Sequence, residues 1–253
     1  MVILEAKKLS RHFGGLKAVS QLDFQINRGE IFGMIGPNGS GKTTVFNVLT
    51  GVYRPTSGEV TFNGKSIGGL PPYEITRCRM ARTFQNIRLF SNATVLENVQ
   101  TGMHCRLQSN LLDALLRNRR YRDSERRSRE KAEELLAFLG LLPRKSELAG
   151  NLPYGEQRRV ELARALASDP EIILLDEPTA GMNPQEASTM MGWIKKIRES
   201  GVTVFLIEHN MKVLMGVSDR VIALDAGQKI AEGLPLEVSR HPAVVKAYLG
   251  SED

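Results

Sequence analysis

The residues with the most specific chemistry are Gly36-Pro37-Asn38-Gly39-Ser40-Gly41-Lys42-Thr43. They fit G-x-x-x-x-G-K-[ST], a loop whose glycines let backbone N–H groups turn inward around phosphate oxygens. A helix predicted to begin beside Lys42 adds the positive end of its dipole. On this reading Lys42 reaches the β- and γ-phosphates of a nucleotide. The Thr43 hydroxyl holds Mg²⁺, and Thr44 follows in the same cradle. The glycine spacing does not give the G-x-G-x-x-G of dinucleotide folds, where Lys42 would be superfluous. A second cluster closes the apolar run Ile172-Ile173-Leu174-Leu175, where Asp176 and Glu177 stand side by side. Unpaired carboxylates at the end of a buried strand are costly, so a structural role there is weak. Asp176 is placed to bind Mg²⁺ and Glu177 to face an attacking water. The loop alone leaves kinases, GTPases, helicases and transporters open. No N-K-x-D sequence occurs, which disfavours a GTPase.

These clusters need a strand–loop–helix unit and a buried strand to carry them. The spacing predicts strands at Val2–Glu5, Gln21–Ile26 and Ile31–Ile35, then a helix over Thr43–Thr50 closed by Gly51. Gly58–Phe62 with Asn63-Gly64 reads as a hairpin corner, and the early strands suggest a mixed sheet added to a parallel core. Ala132, Leu135, Leu136 and Leu139 recur at helical spacing, with Gly140 as terminator. A second helix is expected from about Glu156 to Ser168. The strand Glu171–Leu175 leads to a helix at Pro184 with Asn183 as N-cap. Val202–Ile207 is the next buried strand, and Arg220–Asp225 with Lys229–Ala231 forms a terminal hairpin. Strands alternating with helices imply a parallel sheet covered on both faces.

Composition narrows the class. The chain has 253 residues, 42% hydrophobic and 25% charged, which excludes wholesale disorder. No apolar run is long enough to span a bilayer, and the first residues do not read as a secretory leader. Cys78 and Cys105 lack metal-ligand spacing and read as free thiols of a reducing compartment. The net charge is +6, and the segment Arg106–Lys131 concentrates it, with nine basic and four acidic residues. That segment fits a nucleic-acid surface, a patch near anionic lipid headgroups, or a solvated helix.

Further elements resemble the ATP-binding-cassette (ABC) ATPases. Phe13, in Arg11-His12-Phe13-Gly14-Gly15, matches the aromatic that stacks on adenine in that family; a core phenylalanine is the alternative. Gln85, in Arg82-Thr83-Phe84-Gln85-Asn86, matches the glutamine that touches Mg²⁺ and the water. His209, in Ile207-Glu208-His209-Asn210, matches the switch histidine of the γ-phosphate. Asn151-Leu152-Pro153-Tyr154-Gly155-Glu156-Gln157-Arg158-Arg159 resembles the family's signature sequence, with Pro153 and Tyr154 in place of serine and glycine. Pro153 has no hydroxyl to offer, so Gly155 and the following helix N-terminus are left to serve the opposite site. Thr179-Ala180-Gly181-Met182-Asn183 is similar to the loop that crosses the dimer interface.

The resemblance implies an α/β fold: a P-loop NTPase (RecA-like) core with an antiparallel β subdomain and a helical signature subdomain. It spans residues 1–253 as a single ABC ATPase domain, with the helical subdomain at about 87–168 and a basic insertion at 106–131. The Tyr-Gly-x-Gln-Arg-Arg signature, the sequence around Gln85, the basic insertion and the tail Val245–Gly250 narrow it to ATPase subunits of bacterial branched-chain amino acid importers. It further implies catalytic roles for Lys42, Gln85, Glu177 and His209, with ATP and Mg²⁺ as ligands. The metal set is Thr43, Gln85 and Asp176. The implied partners are a second ABC ATPase subunit (LivF-like) or another copy of the chain, two membrane permease subunits and, indirectly, an extracytoplasmic solute-binding protein. No nucleic acid is expected, and the place is the cytoplasmic face of the inner or plasma membrane. Urea or amide importers, a lipopolysaccharide exporter, and a nucleic-acid-acting ABC ATPase are the alternatives.

Overall fold

A computed structural model describes residues 1–106 and 118–249. Part of the basic segment, residues 107–117, lies outside the described residues, as does Gly250. The chain forms two compact units, one of Met1–Arg82 with the chain from Glu171 onward, the other of Thr83–Pro170.

The first unit opens with β1 (Val2–Phe13) and β2 (Leu16–Asn27), an antiparallel pair much longer than the alternation predicts. The reason is local. Lys8 and Gln21 have left-handed backbone, with φ 46° and 52°, and the β1–β2 register shifts between Ala6 and Leu9. Such bulges break the period of two on which strand reading depends. Next come β3 (Ile31–Ile35), α1 (Lys42–Leu49), β4 (Ser57–Phe62), β5 (Lys65–Ser66), α2 (Pro72–Arg77) and β6 (Met80–Arg82).

The second unit contains α3 (Val95–Thr101), α4 (Arg119–Phe138) and α5 (Tyr154–Leu166). Leu136 and Leu139 of the predicted stripe are fully buried, and Gly140 ends the helix at φ 68°. On α4, Asp123 pairs with Arg126 at 3.2 Å and Glu133 with Arg129 at 3.3 Å. These exposed pairs are those of a solvated helix.

Back in the first unit follow β7 (Ile172–Asp176), α6 (Pro184–Glu199), β8 (Thr203–Ile207), α7 (Met211–Met215), β9 (Arg220–Asp225), β10 (Gln228–Gly233), α8 (Pro235–Arg240) and α9 (Pro242–Leu249). Asn183 caps α6 in a reciprocal box with Glu186, as the Asn-Pro start suggests. The strands make two sheets, an added sheet beside a mainly parallel core. One is antiparallel with order β2-β1-β4-β5; the other has order β10-β9-β3-β8-β7-β6. Within the second, β9, β3, β8, β7 and β6 run parallel and β10 is an antiparallel edge. Every residue of β3, β7 and β8 is buried, the pattern of strands covered on both faces. Between the sheets, Phe24, Phe32, Phe46 and Phe205 pack with ring centroids 4.8 to 6.0 Å apart. Among the described residues, no helix is long and apolar enough to cross a membrane.

Candidate functional site

The parallel register places the chemistry at one edge. Ile207 of β8 is level with Met34 of β3 on one side and Asp176 of β7 on the other. The phosphate loop, the Asp176–Glu177 pair and Glu208–His209 therefore all emerge at the carboxyl ends of adjacent strands. Chain order also reverses here, because β3 is flanked by β8 and β9. Open α/β sheets bind their ligands at such switch points.

The loop is shaped by close backbone approach. A side chain at Gly36 would meet Leu224 O at 2.3 Å, and one at Gly41 would meet Ala18 O at 2.4 Å. Gly41 also needs its left-handed φ of 101°, and no side chain caps α1 behind it. The helix thus starts with its N–H groups uncovered by side chains. Lys42 is buried, and its Nζ donates to Gly36 O at 2.6 Å and to Pro37 O at 2.9 Å. Burial pushes its ammonium below the usual lysine range, while the charges of Glu177 and Asp176 push it back. Lys42 therefore sits in the field of both acids.

Asp176 is held from beneath. Its Oδ2 accepts from Arg82 Nη2 at 2.8 Å, and both side chains are buried. Arg82 Nη1 in turn donates to Asn47 Oδ1 and Thr50 Oγ1 on the far end of α1. Sequence reading assigns Arg82 no role; its one visible signal is a charge inside an apolar strand.

Glu177 stands in left-handed backbone at φ 47°. A non-glycine residue there costs on the order of 1 kcal/mol and persists only where its surroundings impose it. Its N–H donates to Ile207 O at 3.0 Å and its carbonyl accepts from Ala180 N at 3.1 Å. Nδ1 of His209 lies 3.4 Å from Glu177 Oε2. Glu208, also missed from sequence, is fully buried and accepts from Thr179 N and Oγ1 at 3.0 and 2.5 Å. Burial raises its carboxyl above the ordinary range; the bonds from Thr179 oppose that.

The structure thus brings together Lys42, Asp176, Glu177 and His209. Phe13 is no core residue: it is 38% exposed, packs edge-on to Tyr53 at 5.2 Å, and has the Arg11 guanidinium 4.5 Å from its ring centre. Gln85 and Gly155 belong to the second unit. There Arg158 donates to the carbonyls of Phe84 and Gln85, to Tyr154 Oη at 3.0 Å and to Glu161 at 3.1 Å. Pro153 occupies the N-cap of α5 without a side-chain bond.

The donors fit Mg²⁺ chemically. A hard ion that keeps several waters and binds substrate phosphates needs only one or two protein oxygens. Asp176 and Thr43 supply a carboxylate and a hydroxyl of that kind. Among the described residues, no group of three or more His, Cys, Asp and Glu gathers as a dedicated metal cage.

Residues 19–180 match the family described as ABC transporter, and residues 228–253 match one described as branched-chain amino acid ATP-binding cassette transporter. The chain is 44% identical over 249 residues to the high-affinity branched-chain amino acid transport ATP-binding protein BraF of Pseudomonas aeruginosa, covering 98% of each. It is 42% identical to the corresponding protein LivG of Salmonella typhimurium, again over 98% of both chains. Among solved structures it resembles the ADP conformation of an ATP-binding cassette of an ABC transporter, with a TM-score of 0.86 and 32% identity, covering 99% of this chain and 100% of that one. With the fold, the phosphate loop and the full-length matches in agreement, the chain belongs to the ABC transporter family as an ATP-binding cassette.

Proposed function

We propose that this cassette is the ATP-hydrolysing subunit of an importer for branched-chain amino acids, working at the cytoplasmic face of the membrane. The observation that carries the reading is the placement of Lys42 in the field of Asp176 and Glu177, with His209 3.4 Å from Glu177. That set supplies a phosphate-binding cation, a carboxylate for water and a second polar group beside it. The match over residues 228–253 favours branched-chain amino acids over urea, amides or lipopolysaccharide.

In this mechanism the backbone of Gly36–Thr43, with Thr44, cradles the phosphates, and Lys42 turns from its own loop's carbonyls to the β- and γ-oxygens. Phe13 stacks on the base. Thr43 and Asp176 would hold Mg²⁺, which when bound would neutralise phosphate charge. Glu177 orients or deprotonates water, and His209 keeps Glu177 and the terminal phosphate in register. A second cassette, LivF-like or another copy, presents its signature helix to the same nucleotide, and Gly155 of this chain serves the opposite one. Closure around ATP is favoured because nucleotide binds the closed pair more tightly than the open one. Two permeases and an external binding protein complete the system.

The test is Glu177→Gln in the assembled transporter. Steady-state ATPase should fall by at least about a hundredfold, the usual worth of a positioned base, with ATP affinity kept. Undiminished turnover would remove Glu177 from the mechanism.

A further inference from the structure

The last described helix reaches the phosphate loop. The N–H of Gly36 donates to the hydroxyl of Tyr248 on α9 at 2.9 Å. Gly36 is buried and lies one residue past Ile35, whose partner in the β3–β9 register is Ala223. A buried N–H at the end of a strand must find a partner elsewhere.

Two further attachments hold this end of the chain against the loop. Val244 of α9 is fully buried in a cluster with Ile35, Val221, Ala223 and Val238. At the tip of the β9–β10 turn, Gly227 N donates to Ser40 O at 3.1 Å. Burial also raises the Tyr248 hydroxyl above the usual phenol range, so it stays neutral. Tyr248 lies in the stretch 228–253, which matches a family separate from the general cassette match at 19–180.

We propose that Tyr248 is a positioning residue for the nucleotide. By holding the N–H of Gly36 it fixes the first residue of the phosphate loop, so the C-terminal helix sets part of the nucleotide affinity. This rests on the phosphate-loop reading above. The bond is worth most when the loop must present a fixed backbone cradle, because an unmade buried bond is paid as lost preorganisation.

The experiment titrates the full chain with a methylanthraniloyl derivative of ATP. Tyr248→Phe deletes the hydroxyl alone and is expected to raise Kd about fivefold to twentyfold, and Tyr248→Ala by a similar factor. A Phe variant that binds like the native chain, whatever Ala does, makes the ring mere packing and overturns the proposal. Lys42→Ala separates the two readings. Its binding as tightly as the native chain overturns the phosphate-loop reading and this inference with it. Its loss of binding beside an unmoved Tyr248→Phe overturns this inference alone. Should the variants fail to fold, hydrogen exchange on the native chain decides. The Gly36 amide is expected to exchange more slowly than that of Gly39, an exposed residue of the same loop; equal rates overturn the proposal.

Discussion

The phosphate loop and the signature segment both begin a helix that no side chain caps, yet they are built by opposite means. The loop is a backbone device. Gly36 and Gly41 are demanded by carbonyls 2.3 and 2.4 Å from where a Cβ would stand, and Lys42 is held by the loop's own carbonyls. The start of α5 is a side-chain device. Arg158, 3% exposed, ties the helix to the carbonyls of Phe84 and Gln85, to Tyr154 and to Glu161. A backbone device tolerates almost no change of sequence, whereas a side-chain device can drift while keeping its geometry. That explains why the loop matches its motif in full and the signature does not. Pro153 still accepts from Glu156 N and Gln157 N at 2.9 and 3.0 Å. Tyr154, in place of a glycine, has its hydroxyl 3.0 Å from Arg158.

The strongest way to break this contrast is Arg158→Met. It leaves the buried Glu161 without its hydrogen-bonded cation, only the charge of Arg164 remaining, and should destabilise the chain by about 3–5 kcal/mol in denaturant titration. Adding Glu161→Leu should recover part of that, and nucleotide affinity of the folded fraction should hold. If Arg158→Met is silent, the signature helix is not anchored by side chains. Lys42→Ala should act in reverse, weakening ATP binding by about 3 kcal/mol, the upper range for a bond to a charged group, with little change in unfolding midpoint. Smaller again is Phe13→Ala. Loss of base stacking should cost about 1–2 kcal/mol of ATP affinity, and unchanged affinity would reduce Phe13 to a partner of Tyr53 and Arg11.

The subtlest test compares the two buried acids. Burial raises both carboxyls; the Arg158 charge is what chiefly opposes it at Glu161, whereas at Glu208 the hydrogen bonds from Thr179 oppose it first and His209 after them, with Glu177 adding to the rise. A raised folded value means that the native chain holds its proton more tightly than the unfolded chain. Stability from Glu208 is therefore full below the ordinary carboxylate range and is lost as pH rises through the raised value. Glu208→Gln should flatten stability across that window in urea titrations at several pH values. An unchanged slope would show that Glu208 does not titrate there.

What was legible from sequence was local. The loop, the acid pair, and Asn183-Pro184 with Glu186 three residues on are each written within a few consecutive residues. What stayed hidden was either irregular or distant. Lys8, whose N–H donates to Asp23 Oδ1 at 2.8 Å, lies in a bulge that disguises β1, and β6 is only three residues long. Arg82 meets Asp176, and Tyr248 meets Gly36, across long separations that no spacing rule encodes. Phe13 illustrates the middle case, since its neighbours permit either a core or an exposed ring and only burial decides.

The pairing of β6 with β7, Met80 opposite Ile172 and Arg82 opposite Leu174, has an evolutionary corollary. The chain departs from one strand and returns on its immediate neighbour, roughly 4.8 Å away. A segment anchored at two such close points can be lengthened, trimmed or transplanted between relatives without rethreading its host. The Thr83–Pro170 portion can therefore change in length without altering the order or pairing of the strands it interrupts.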